Sequence, residues 1–231
     1  MIRENISRLK SDISLICQKL GRNPGDITFV CITKFANVAM IEEALDCGIT
    51  DIGENKVQEA KAKFAELKPR VPQGKRHMIG HLQTNKVRDA LKLFDMIQSL
   101  DSLRLAAAIE KEAEIQGREV DTLLEVNVSG EEQKHGVSLG EAQNLLKEVS
   151  GLKRLRILGL MTVAPLTQDE AVIRHCFRKL KELCDQLREQ FKNTANIKMD
   201  FLSMGMSSDY RIALEEGANM ARVGSAIFKH A

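Results

Sequence analysis

Phe29-Val30-Cys31-Ile32-Thr33-Lys34 is an apolar, β-branched run that ends at a single lysine. With Pro24-Gly25-Asp26 as a turn upstream, it predicts a fully buried strand from Ile27 to Thr33. A lysine at the end of such a strand is expected at the rim of the core, partly out of water. The ammonium form is disfavoured there, and the free amine is a nucleophile suited to Schiff-base chemistry. On residue type alone, a lysine snorkelling into solvent is the commoner outcome. The choice between the two depends on what else the chain brings to the same place.

Upstream of the run, Ile2, Ile6, Leu9, Ile13, Ile16 and Leu20 recur at helical spacing and Gly21 closes them, which predicts a packing helix. Downstream, helix and strand alternate. Ala39 to Cys47 reads as a helix, Asp51-Ile52-Gly53 as a very short strand, and Glu54-Asn55 leads into a helix reaching about Leu67. Pro69, Pro72 and Gly74 mark a loop. His77 to Gly80 is the third strand, and Gln83 to Lys86 opens the third helix of this alternation. Asp95 to Gln98 is the fourth strand, and a helix runs from Ser102 to Gln116. Leu123 to Val128 is the fifth, followed by a polar loop and by Ser138 with Glu141 as a capping box. Arg156 to Met161 is the sixth. Thr167 with Glu170 is read as the cap of the longest helix, whose core face is Val172, Cys176, Leu180, Leu183, Leu187 and Phe191. Asp200 to Ser203 and Asn219 to Val223 are the seventh and eighth strands.

Eight such alternations without a hairpin signal predict parallel strands joined by crossovers. The expected fold class is α/β, a single (β/α)8 TIM barrel spanning residues 1–231 with an extra N-terminal helix; an open doubly wound sheet is the alternative. A length of 231 residues and 43% hydrophobic content suit it. The lack of Trp, a single Tyr and a net charge of +2 with interspersed signs argue against a nucleic-acid surface. Cys17, Cys31, Cys47, Cys176 and Cys184 are odd in number and form no C-x-x-C, so core thiols are expected rather than disulfides or a zinc site. The amino terminus reads as an amphipathic segment and not a signal peptide, and no apolar run approaches membrane-spanning length. A cytoplasmic monomer is expected.

In a parallel barrel the carboxyl ends of all strands share one face, where active sites lie. Those ends carry Lys34, Asn55, His81, Asn127, Met161, the stretch from Ser203 to Ser207, and Arg222-Val223-Gly224-Ser225. Gly205-Met206-Ser207 and Gly224-Ser225 follow the seventh and eighth strands, the usual phosphate site of this fold. Glycines admit close backbone approach, and serine hydroxyls with helix-start amides make a cradle for a phosphate dianion. Turns and helix caps use the same residues, so the signal lies in two such pairs at adjacent strand ends. Met206 joins the candidate contacts by its place in that turn; for it and for Met204, core filling is the competing reading. Arg222 is open to two readings, an outward strand arginine paired with a helix carboxylate or a ligand-facing cation. A lysine, a phosphate cradle and an arginine on one rim suggest pyridoxal 5′-phosphate (PLP), with the arginine at the ring nitrogen. His77 and His81 make no metal site by themselves, since no Cys or acidic triad joins them. His81 is read as rim-lining, His135, His175 and His230 as surface residues, and Lys61 and Lys63 with Glu59 and Glu66 as a solvated helix face.

Six blocks make the chain recognisable: Cys31-Ile32-Thr33-Lys34, Gly53 to Glu59, His77 to Lys86, Gly159-Leu160-Met161-Thr162, Leu202 to Asp209, and Arg222 to Phe228. In this order they resemble the pyridoxal-phosphate homeostasis proteins, which look like the barrel domain of alanine racemase standing alone. The resemblance implies PLP as cofactor on Lys34, with Asn55 beside it, Arg222 at the pyridine nitrogen, and Ser207, Gly224 and Ser225 around the phosphate. It implies a role in vitamin B6 and amino-acid homeostasis without dedicated catalysis, with apo forms of PLP-dependent enzymes as candidate partners. The chain departs from the family's usual pattern at Phe35-Ala36, at Lys56 in place of a tyrosine, and at Lys229 after Ile227-Phe228. Two rival readings are an amino-acid racemase and a Schiff-base aldolase that works without cofactor.

Overall fold

Alternation along the strands sorts side chains into two cores. In β1 (Thr28–Ile32), Val30 and Ile32 join an inner cluster with Met96, Leu123, Met161 and Met220, whereas Cys31 packs outward beneath the helices. Successive strand residues point to opposite faces, so the same rule assigns every strand. In β9 (Met220–Val223), Met220 and Arg222 face in, while Ala221 and Val223 face out. This computed structural model describes residues 1–67, 74–131 and 133–229. The loop read at Pro69 and Pro72, and the surface reading of His230, lie outside them.

The remaining strands are β2 (Asp51–Glu54), β3 (Arg76–Met78), β4 (Met96–Leu100), β5 (Val120–Asn127), the two-residue β6 (Val137–Ser138), β7 (Leu155–Met161) and β8 (Ile197–Ser203). Every pairing is parallel. The order runs β4-β3-β2-β1-β9-β8-β7-β5, and the β4–β5 pairing closes the ring into an eight-stranded barrel, with β6 an appendage on β5. The doubly wound alternative is therefore excluded. The helices α1 (Ile2–Lys19), α2 (Val38–Asp46), α3 (Val57–Glu66), α4 (Val87–Leu93), α5 (Leu103–Ile115), α6 (Leu139–Val149), α7 (Glu170–Gln190), α8 (Tyr210–Glu215) and α9 (Ser225–Phe228) surround it. The extra N-terminal helix α1 lies across α2, α8 and α9.

Several local expectations shift. Ser138 and Glu141 form the capping box of α6. On α7, however, the cap is Asp169, whose carboxylate accepts from the Ala171 and Val172 amides, and Thr167 instead accepts from the Asp169 amide. The buried stripe of α7 is Ile173, Cys176, Phe177, Leu180, Cys184 and Leu187; Val172 is exposed. The sequence stripe reaches Val172 by a four-residue step back from Cys176, whereas the helix seats Ile173, three residues before Cys176, in the core, as 3.6 residues per turn allows. Leu20 is likewise exposed, because α1 ends at Lys19. Gln83 to Lys86 opens with a 3-10 turn before α4. All five cysteines are unpaired thiols, with Cys17, Cys31, Cys176 and Cys184 buried and Cys47 half-buried. Among the described residues no helix is long and apolar enough to cross a membrane.

Candidate functional site

The end of β1 is clamped by a buried ion pair. Thr33 Oγ1 donates to Glu54 Oε1 at 2.7 Å, and Lys63 Nζ reaches in from α3 to the same oxygen and to the Thr33 carbonyl, both at 2.7 Å. Lys63 therefore belongs to the site's framework and not to a solvated helix face. A fully buried carboxylate needs a charge partner, and α3 supplies it. Lys34 sits one residue further, in a turn closed by the Ala36 amide on the Thr33 carbonyl at 2.9 Å. Its side chain is exposed, with Nζ 5.0 Å from the ring centroid of the exposed Phe35. The partly dry rim expected for this lysine is not found: Thr33 is the last buried residue before the turn, which lifts Lys34 off the barrel.

Arg222 faces the barrel interior, so its outward reading fails. It is 4% exposed, with Nη1 donating to Ser203 Oγ at 2.6 Å and Nη2 to the Thr162 carbonyl at 2.7 Å. Burial pulls its pKa down to about 10, which leaves it charged at neutral pH. From Ser203 the contacts continue inward. Ser203 Oγ donates to Gln98 Oε1 (2.7 Å), Gln98 Nε2 donates to His77 Nδ1 (2.9 Å), and His77 Nε2 donates to Asp51 Oδ1 (3.0 Å). The chemistry fixes every direction: a guanidinium and an amide nitrogen only donate, and a carboxylate only accepts. His77 is thus held with its proton on Nε2. Burial would raise Asp51, but hydrogen bonds from His77 and Thr50 outweigh it and hold the carboxyl below its ordinary range. The chain runs one way from a buried cation to a carboxylate.

The cradle is built where β8 and β9 end. Ser207 Oγ accepts from the Gly224 amide at 3.3 Å and the Ala226 amide at 3.1 Å, which ties the two loops together. A Cβ on Gly224 would lie 2.8 Å from the Ile32 carbonyl oxygen, so only glycine lets this turn lie against the end of β1. Gly205 adopts φ +93° and packs too closely on Ala213 for a side chain. Ser225 is exposed at the start of α9. Met206 is half-buried, and its amide is taken by Asp209 Oδ1 at 2.5 Å. On β2's side of the rim, Asn55 Oδ1 is buried with no hydrogen-bond partner. Such an orphan acceptor costs free energy unless a ligand or water satisfies it. Exposed amine, buried cation, hydroxyl cradle and orphan acceptor together fit a polar ligand with an anionic group.

Other rim candidates do different work. Asn127 holds its own loop, donating from Nδ2 to the Glu131 carbonyl at 2.9 Å while its Oδ1 accepts the Gly130 amide. Met161 fills the inner core. His81 is exposed and bonded to Asp101 Oδ2 at 3.1 Å, whereas His77 belongs to the internal chain, so the two are not partners. Lys56 is exposed and paired with Glu59 at 2.9 Å. Tyr210 is buried, donating its hydroxyl to Asp12 on α1 at 2.6 Å. The sequence reading missed Gln98, Thr162, Lys63 and Glu125. Glu125 is a half-buried carboxyl whose pKa burial pushes up to about 7, against the pull of Arg222 and helped by Asp101. A usable signal existed: Asp51, His77, Gln98, Glu125, Ser203 and Arg222 are polar residues at inward positions of the barrel strands.

The chain as a whole is similar to known proteins. The alanine racemase N-terminal domain model matches residues 5–231. The chain is 37% identical over 225 residues to a pyridoxal phosphate homeostasis protein of Aquifex aeolicus, covering 97% of this chain and 96% of the relative. A protein of the same name from Helicobacter pylori J99 is 40% identical over 205 residues, covering 88% and 87%. PipY of Synechococcus elongatus PCC7942, solved with PLP bound, superposes with a TM-score of 0.85 at 33% identity, covering 99% of this chain and all of that one. The chain belongs to the pyridoxal phosphate homeostasis protein family.

Proposed function

We propose that this chain binds pyridoxal 5′-phosphate on the carboxyl rim of the barrel, linked through Lys34, and acts in the supply and balance of that cofactor and of amino acids rather than as a dedicated catalyst. The observation that carries the reading is Arg222, buried and held by two hydrogen bonds on the rim that also bears Lys34 and the Ser207–Gly224 cradle. The PLP-bound PipY structure supports it at full-length coverage. Lys34 would hold the cofactor through its amine. Ser207, Gly224 and Ser225 would hold the phosphate, with Met206 and Asn55 beside the cofactor and Arg222 as hydrogen-bond donor to its ring nitrogen. A guanidinium that is charged at neutral pH would favour an unprotonated ring nitrogen, since it donates a hydrogen bond without releasing a proton. When bound, the cofactor supplies an electrophilic carbon for primary amines and an electron-withdrawing ring.

Racemisation would need acid–base groups on both faces of a substrate carbon. The single tyrosine is committed to Asp12, which favours holding the cofactor over turning it over. The protein works as a single-domain monomer in the cytoplasm, and apo forms of PLP-dependent enzymes receive the cofactor. Purified protein loaded with PLP should show a visible absorption band that borohydride abolishes, and peptide mapping should find the reduced adduct on Lys34. An adduct on any other lysine, or no band, overturns the assignment.

A further inference from the structure

We infer that His81, Asp101 and His135 form a binding site for a divalent transition-metal cation of zinc's class, on the rim across the barrel from the phosphate cradle. Three neighbouring strands deliver the ligands. His81 follows β3, Asp101 follows β4 directly, and His135 lies in the loop between β5 and β6, while β3 pairs with β4 and β4 with β5. One ring nitrogen from each imidazole and one carboxylate oxygen all lie within 4.8 Å of one another. The two imidazoles stack, with centroids 4.2 Å apart and planes 11° apart.

Asp101 and the loop that carries His135 are each held by contacts of their own. Asp101 presents Oδ2 to His81 Nδ1 at 3.1 Å, while its Oδ1 is held by the Ser102 hydroxyl at 3.0 Å. The loop carrying His135 is pinned by Asn127 on the Glu131 carbonyl, by Lys134 Nζ on the Ala164 carbonyl at 3.2 Å, and by the pairing of Val137 with Val126. A cation held at about 2.0–2.1 Å by tetrahedral ligands needs them roughly 3.3 Å apart and in the plane of each ring, so the two exposed imidazoles must close by an ångström or so and turn out of their parallel stack to take it. The donor set selects the metal. Two imidazoles and one carboxylate suit zinc, cobalt or nickel, whereas magnesium and calcium prefer oxygen throughout. Three protein ligands leave a coordination position for water or a small anion.

The site does not depend on the cofactor reading, so it is tested on untagged full-length protein both with and without PLP. Zinc chloride titrated calorimetrically should bind with one saturable equivalent in both forms, and cobalt in the same site should give visible d–d bands. His81→Ala and His135→Ala should each weaken zinc binding at least about tenfold, and the double variant should lose the saturable equivalent. Circular dichroism of these surface variants should be unchanged. Absence of a one-equivalent isotherm in the parent protein overturns the inference. So does an isotherm that survives in the double variant, because the cation would then sit elsewhere, on a thiol such as Cys47.

Discussion

Replacing Glu125 by Gln should change how stability depends on pH, with little effect on the barrel itself. Glu125 faces inward on β5, and burial raises its carboxyl from 4.5 to about 7, with Asp101 adding to the rise and Arg222 opposing it. Between those two pH values the folded protein keeps a proton that the unfolded chain has released. Stability contributed by this group is therefore full below the unfolded value and is lost as pH rises to the folded one. At about 1.4 kcal/mol per pH unit the difference corresponds to roughly 3 kcal/mol, and partial exposure of the side chain reduces it to about 2. Glutamine is neutral throughout. Urea unfolding of cofactor-free parent and variant, compared from about pH 4.5 to about pH 8, cancels every other titrating group. The variant should gain about 2 kcal/mol on the parent across that range. A stability difference that stays constant with pH would refute the burial argument.

Arg222→Ala should change the absorption spectrum of bound PLP and its pH dependence, whereas Ser207→Ala should mainly weaken retention, by roughly 1.5–3 kcal/mol less any compensation from other donors; unchanged spectra in both variants would move the cofactor elsewhere. Lys34→Ala should still bind PLP but release it on dialysis, and a dialysis-resistant adduct on Lys56 or any other lysine would show that Lys34 is not the anchor. Lys63→Met strands the buried Glu54 carboxylate and should cost about 3 kcal/mol of unfolding free energy, with a loss under about 1 kcal/mol refuting the clamp. Gln98→Leu leaves the Ser203 hydroxyl and His77 Nδ1 without their partner and should cost about 1–3 kcal/mol for each orphaned group, together with a shift in the bound cofactor's spectrum.

The barrel was legible because its strands are short apolar runs set between helices, a pattern that leaves few topologies. Boundaries moved by a few residues where capping chemistry was misassigned, as at Asp169. The close approach of the loops after β8 and β9 was legible for a different reason: Gly205 and Gly224 must be small and Ser207 hydroxylic, and sequence shows both properties directly. Lys34's surroundings were not, because a turn beginning at Thr33 decides whether the next side chain is dry or wet, and a strand pattern does not specify where the strand lets go. The long-range pairs were hidden in principle. Nothing local links Lys63 to Glu54, or His81 to Asp101 and His135. Such contacts follow only once the barrel closes and sets strand neighbours side by side.

Closure also explains why so many polar residues can occupy the interior at all. Arg222 cannot be buried alone, since a desolvated charge without partners costs several kcal/mol. Its two hydrogen bonds settle the geometry of the guanidinium, but neither acceptor carries charge. The one-way chain through Ser203, Gln98 and His77 ends on Asp51, which does. Each donor in that chain is polarised by the next, so the negative end is felt at the positive one through fixed dipoles rather than through direct contact. A carboxylate placed against Arg222 would have neutralised it and competed for the donors a ligand needs. At the far end of four hydrogen bonds, Asp51 orients the chain, while the charges that act on Arg222 directly are those of Glu125 and Asp209. Burial in turn raises the Glu125 carboxyl to about 7, against the pull of Arg222. The interior therefore holds Arg222 charged and oriented.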